Sequence, residues 1–373
     1  MVNRQRMVDE FLSLVRIDSQ PLKERQVADA VIAIVKGMGL EAVEDGIAES
    51  IGGDTGNIVV RVKGSMPNVP AVAFAAHLDR VSPGLGIQPQ IRDDVIYSDG
   101  TTILSGDDLA GVVQMLEAVR VLKETGAQHG DIELLFTVSE ESGMRGSKNF
   151  DRSLLKADVG YFLDGGGDVG AIINQAPAQS KIEVKITGLP AHAGLSPEKG
   201  ISAIQVAADA IAGMNLGRID FETTCNVGTI KGGLATNIVP ENVEIMAEVR
   251  SRNEAKLVAQ VKHIVDGFEA AAAKWGAKAD IGVTHSYPAL NVSADDKAVL
   301  WAQEAVKSLG LEPKVEATGG GSDGNILAGK GLTSIVLSVG MEKVHSKDEF
   351  IKIDQLVKGA ELVLAIVEQV AKG

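Results

Sequence analysis

Two apolar rhythms alternate along the chain. Residues 8–15 and 26–38 carry apolar side chains at helical spacing, with Gly37 and Gly39 at the end of the second run. Short β-like apolar runs come next at 57–62 and 71–76, and the runs at 132–138 and 159–163 read as buried strands. Between them, residues 111–122 predict a helix, with Val112, Met115, Leu116, Val119 and Leu122 on one face. Strands alternating with helices predict an α/β unit: a mixed, mostly parallel sheet with flanking helices.

The rhythm changes near Gln179. Residues 180–188 alternate strictly between polar and apolar, as in a strand with one wet face. A helix at 203–214 comes after it, then strands at 225–230 and 243–250, a helix at 253–275 and a strand at 279–287. This β-α-β-β-α-β order is that of a ferredoxin-like α+β unit. From about Ala294 the buried α/β pattern returns, with helices at 297–309 and 354–371 and a strand at 333–339. The expected organisation is a small domain, 179–289, inserted into a larger one made of 1–178 and 290–373.

Bulk properties narrow the partners. A length of 373 residues favours two domains. A formal net charge of −14, without any Lys/Arg run, speaks against nucleic acid and anionic membrane. The single cysteine, Cys225, forms no intramolecular disulfide. The first dozen residues are charged and amphipathic, unlike a signal peptide, and no apolar stretch is long enough to span a membrane. A cytoplasmic protein is expected.

The chemistry gathers where strands are expected to end. His77 and Asp79 follow the run at 72–76; Glu140 and Glu141 follow 132–138; Asp164 follows Leu163; His345 comes soon after 334–339. Asp107 and Asp108 stand just before a helix. Sites in α/β sheets assemble at the carboxyl ends of strands. Two imidazoles with several carboxylates form a nitrogen and oxygen set suited to one or two divalent metals, with zinc, cobalt and manganese all compatible. Taken singly, these residues have ordinary explanations: acids at a helix start cap it and complement its dipole. Adjacent acids directly after an apolar strand are costly unless used. One Glu can hold a metal while its neighbour serves as general base. Together the residues point to a metal-dependent hydrolase.

Two glycine-rich segments offer rival chemistry. Residues 165–170 fit G-x-G-x-x-G, but residues 171–177 lack the pattern of an amphipathic helix and Pro177 would break one, so a dinucleotide site is not expected. Residues 319–325 lack the Lys-Ser/Thr of a phosphate-binding loop, and their amides are expected to line a substrate pocket.

The segments H-L-D (77–79), S-G-D-D-L-A-G (105–111), T-V-S-E-E-S-G-M-R-G-S (137–147), L-D-G-G (163–166), P-A-H-A-G-L-S-P-E-K-G (190–200) and V-H-S-K-D-E-F (344–350) occur in an order that resembles the M20 metallopeptidases, and most of all the peptidase-T-like tripeptide aminopeptidases. The resemblance spans nearly the whole chain. It implies a catalytic α/β domain holding two zinc ions, and an inserted ferredoxin-like lid domain. It also implies that His77 and His345 each bind one zinc, that Asp107 bridges them, and that Glu141 and Asp164 complete opposite sites. Glu140 would be the general base and Asp79 would orient His77. In the lid, His192 would help hold the scissile carbonyl oxygen, while Asn237 and Arg250 would contact substrate. An Asp at the Asp164 position goes with aminopeptidases in this family, and lids there often pair, which allows a homodimer. The chain departs from the family's A-D-D-K-A-G in having Gly106 for Ala and Leu109 for Lys, which removes a cation beside the metals and bears on substrate range and turnover.

The expected function is hydrolysis of short peptides by a tripeptide aminopeptidase, in which a metal-bridging hydroxide attacks the carbonyl and Glu140 handles the proton. Two alternatives stand beside it. One is an N-acyl amino acid amidohydrolase or carboxypeptidase of the same fold. The other is a non-catalytic protein that binds metal or peptide, for which Leu109 is the only hint and against which Glu140 argues.

Overall fold

Nine strands make the principal sheet of the computed structural model, which describes residues 1–373. Their order is Ala42–Glu44, Ile58–Val62, Ile132–Thr137, Val72–His77, Val159–Gly165, Thr333–Ser338, Ala171–Ala176 and Leu290–Asn291, with Lys314–Ala317 also paired to Ala171–Ala176. The four strands from Ile132–Thr137 to Thr333–Ser338 run parallel, so their carboxyl ends share one edge. Every residue of Val72–His77 and Ile132–Thr137 is buried, which is why these strands read as largely apolar runs. The helices Arg4–Val15, Gly106–Thr125, Lys297–Ser308 and Ile353–Lys372 supply Phe11, Leu116, Ala302 and Ile366 to one core with Phe74 and Leu134. Truncating one of these side chains, Leu116→Ala for instance, costs about 2–5 kcal/mol.

The chain divides into two compact units. One comprises Met1–Gln175, Asn291–Thr318 and Ser322–Gly373; the other comprises Ala176–Leu290 and Gly319–Gly321. The second holds an antiparallel sheet ordered Gly217–Arg218, Thr223–Gly232, Asn242–Ser251, Ala178–Thr187, Lys278–Tyr287. Burial alternates along Asn242–Ser251, and Val243 and Ile245 join Ile182, Val184, Leu257, Ile264 and Phe268 in a separate core. The helix Glu254–Trp275 starts where the Asn253 side chain accepts the Ala255 and Lys256 N–H groups, and it ends at Gly276 with φ 69°.

A small four-stranded sheet ordered Met341–Glu342, Phe350–Lys352, Val95–Tyr97, Gln90–Arg92 brackets residues 343–349 as a loop. Residues 171–176 form a strand, so no helix comes after the glycines at 165–167 and the dinucleotide pattern is a chance match. Ser322 caps the short helix Asp323–Gly329 in a capping box with Asn325. No helix is long and apolar enough to cross a membrane.

Candidate metal centre

The sheet edge delivers the first side chains. His77 closes Val72–His77, and Asp164 is the penultimate residue of the neighbouring parallel strand Val159–Gly165. Glu140 and Glu141 follow Thr137 through a turn in which Ser139 takes φ 54°. Asp107 and Asp108 sit at the head of Gly106–Thr125 but outside helical geometry, at φ/ψ −81/102° and −123/27°, joined by a cis peptide. Neither carboxylate caps the helix: Asp107 faces His77 and His345, and Asp108 accepts the His77 N–H; the regular turns begin at Leu109. Gly111 is required there, because a Cβ would lie 2.5 Å from the Leu163 carbonyl oxygen. Leu109 is fully buried in the apolar core.

Asp107 stands between the two histidines. Its Oδ1 lies 3.0 Å from His77 Nε2 and its Oδ2 lies 3.1 Å from His345 Nε2. Glu141 Oε1 is 2.8 Å from His345 Nε2, and Asp164 Oδ1 is 3.9 Å from His77 Nε2. Two groups result, His77–Asp107–Asp164 and Asp107–Glu141–His345, each with ligand atoms within 4.8 Å of one another; His77, Glu140 and Glu141 meet the same distance. This donor set fits two divalent cations that share one carboxylate.

The electrostatics agree with that fit. Burial opposes ionisation of Asp107, yet hydrogen bonds with His345 and His77 hold its carboxyl well below the usual range. Hydrogen bonds to Asp107 and Glu141 raise His345 to about 10. Burial would lower His77, but Asp107 and Asp79 raise it well above an ordinary histidine. Burial pushes Asp164 and Glu140 well above the carboxylate range; Asp107 adds to this at Asp164, and His77 partly offsets it at Glu140. So many acids in one buried place favour positive charge among them.

A surrounding set of acids holds these groups. His77 Nδ1 is 3.0 Å from the main-chain oxygen of Asp79 and 3.5 Å from its carboxylate. The Asp79 carboxylate accepts the N–H groups of Glu140 and Glu141 at 2.9 and 3.0 Å. Buried Glu24 accepts the Ser139 N–H and hydroxyl, buried Asp108 accepts the His77 N–H, and Asp323 accepts the Ser147 hydroxyl. Glu349 accepts three N–H groups in the Asp107 turn, and burial pushes its carboxyl up to about 7. Sequence reasoning gave no role to Glu24, Asp108, Asp323 or Glu349. Asp108, Asp323 and Glu349 lay inside segments it had singled out, but Glu24 carried no signal.

His77, Asp79, Asp107, Glu140, Glu141, Asp164 and His345 thus meet in the first unit. His192, Asn237 and Arg250 belong to the second. There His192 is exposed, its Nδ1 accepts the Gly194 and Leu195 N–H groups, and its segment bridges to Ile238 beside Asn237. The Asn237 carbonyl accepts the Ala193 N–H at 3.0 Å. Arg250 donates Nε and Nη2 to Glu248 at 2.9 and 3.2 Å, a salt bridge on the sheet.

Fold and site together define an α/β protein with metal-ligand side chains gathered at the carboxyl edge of its parallel strands. The sequence pattern of peptidase family M20/M25/M40 matches residues 73–369, and the chain belongs to that family. Among solved structures it is similar to aminopeptidase PepT from Bacillus cereus ATCC 10987, at 44% identity and TM-score 0.95 over 99% of both chains. It is also similar to a tripeptidase from Staphylococcus aureus subsp. aureus mu50, at 41% identity and TM-score 0.97 over the whole of both chains. The YqjE protein of Bacillus subtilis (strain 168) is 43% identical over 372 residues, the full length of each.

Proposed function

We propose that this chain is a two-metal aminopeptidase that removes the N-terminal residue from short peptides, tripeptides above all. The observation that carries the reading is Asp107, which turns one oxygen to His77 and the other to His345, with Asp164 and Glu141 beside them. Zinc is the metal proposed, to be held by His77, Asp107 and Asp164 and by Asp107, Glu141 and His345; cobalt and manganese suit the same donors. When bound, such ions polarise the scissile carbonyl and acidify water.

Glu140 moves the proton. Its carboxylate takes one from the attacking water and returns it to the leaving nitrogen. Asp79 holds the Glu140 backbone and the His77 ring, so that base and ligand keep their spacing. Residues 1–178 and 290–373 are assigned as the catalytic domain, and 179–289 as an inserted ferredoxin-like lid. His192 of the lid would steady the carbonyl oxygen as charge develops, and Asn237 and Arg250 would hold the peptide. Pairing of two chains through the lid and action in the cytoplasm complete the proposal. The similar structures at 44% and 41% identity, an aminopeptidase and a tripeptidase, support the substrate class.

Glu140→Gln tests the mechanism. Turnover of a tripeptide should fall by about 10²–10⁴-fold while zinc content stays at the parent level. Full turnover with metal bound would remove Glu140 from the mechanism.

A further inference from the structure

Glu349 is fully buried, and its carboxylate is satisfied by main-chain N–H groups. Oε2 accepts from Leu104 at 2.8 Å and from Ser105 at 2.9 Å, and Oε1 accepts from Asp107 at 3.1 Å. Leu104 lies 245 residues earlier in the chain. At its own end Glu349 is anchored twice. Its N–H donates to the Ser346 carbonyl, and the next residue, Phe350, begins a strand paired to Val95–Tyr97. The carboxylate therefore reaches from the loop that carries His345 into the turn that carries Asp107.

Both of these segments need such a brace. Ser105 takes φ 66° and His345 itself φ 61°, left-handed backbone that is unfavourable for a non-glycine residue and persists only where its surroundings impose it. Room for the brace comes from Gly106, where a Cβ would stand 3.2 Å from Glu349 Oε1.

We propose that Glu349 is a positioning residue that couples the Asp107 turn to the His345 loop, so that the shared carboxylate and the second histidine are set as one unit. The inference rests on the two-metal reading above. Asp107 serves both metal positions, so loosening its turn weakens both at once. Loss of His345, by contrast, removes one ligand from one position.

Zinc titrated into the chelator-stripped full-length chain, followed by calorimetry, tests this, with thermal melts in chelator as the check on folding. Glu349→Gln should weaken zinc at both positions by roughly 10–100-fold, and His345→Ala should abolish one equivalent and spare the other. Should Glu349→Gln lose its cooperative melt, Glu349→Asp, which keeps both oxygens on a shorter arm, carries the test with a smaller loss in the same direction. Parent-like zinc binding by the folded Glu349 variant, or weakening at one position alone, overturns the coupling. A parent chain that binds no zinc overturns the two-metal reading instead.

Discussion

Asp79 grips the backbone of Glu140: its Oδ1 accepts the Glu140 N–H at 2.9 Å, while Oδ2 takes the Glu141 N–H at 3.0 Å. Asp79→Asn keeps the shape but turns an N–H donor against one of those two N–H groups. The expected result is a fall in kcat of roughly 10–100-fold with KM changed little, since the base is displaced rather than the substrate site. Steady-state kinetics on one tripeptide decide it, and a rise in KM at constant kcat would be the wrong signature.

Glu24 makes stability depend on pH. Burial first, and the charge of Asp79 second, push its carboxyl up to about 7 from the ordinary 4.5. The native state then binds this proton more tightly than the unfolded chain. Its contribution to stability is complete below about 4.5 and is lost as pH rises through about 7, a change on the order of 3 kcal/mol. Glu24→Gln still accepts from Ser139 but no longer titrates. Melting temperatures in chelator between about pH 5 and pH 8 should therefore fall with pH in the parent and fall less steeply in the variant, where Glu349 still titrates near 7. Parallel curves would remove Glu24 as the source.

Gly111→Ala should loosen the centre from within the core. Its new Cβ would meet the Leu163 oxygen at 2.5 Å and Asp108 Oδ1 at 2.6 Å, next to the strand that carries Asp164. Overpacking of this kind costs about 1–3 kcal/mol. Urea midpoints measure it; a variant within experimental error of the parent would show that the helix start can shift freely.

Arg250 is already paired with Glu248, so any role with substrate falls to an arginine that must share its charge. If it takes the peptide carboxylate, Arg250→Ala raises KM for free tripeptides about tenfold or more, as expected for a hydrogen bond to a charged group, and leaves C-terminal amides little changed. Equal effects on acids and amides would make the residue a sheet salt bridge only.

The legible parts of the sequence were those where one residue decides the outcome locally. Apolar runs ending in His77, or leading through Leu163 to Asp164, announce a buried strand whose polar tip must be used. The alternation along 243–250 announces a sheet covered on one side, as the buried Val243 and Ile245 show. The illegible parts depend on contacts between distant segments. Nothing in V-H-S-K-D-E-F says that Glu349 reaches Leu104, and nothing near Glu24 points to Ser139. The sequence marks Asp107 as a candidate ligand beside a helix start, but not the non-helical backbone of Asp107 and Asp108, which depends on the surrounding turn, the His77 N–H and the close approach of Gly111 to Leu163.

Product analysis by mass spectrometry bears most directly on the two-metal aminopeptidase, using free tripeptides, dipeptides and N-acetylated amino acids with zinc-loaded and chelator-treated protein. Such an enzyme removes the N-terminal residue from free tripeptides and gives no product after chelation. Cleavage confined to the acylated substrates, or tripeptide cleavage that survives complete removal of metal, would contradict it.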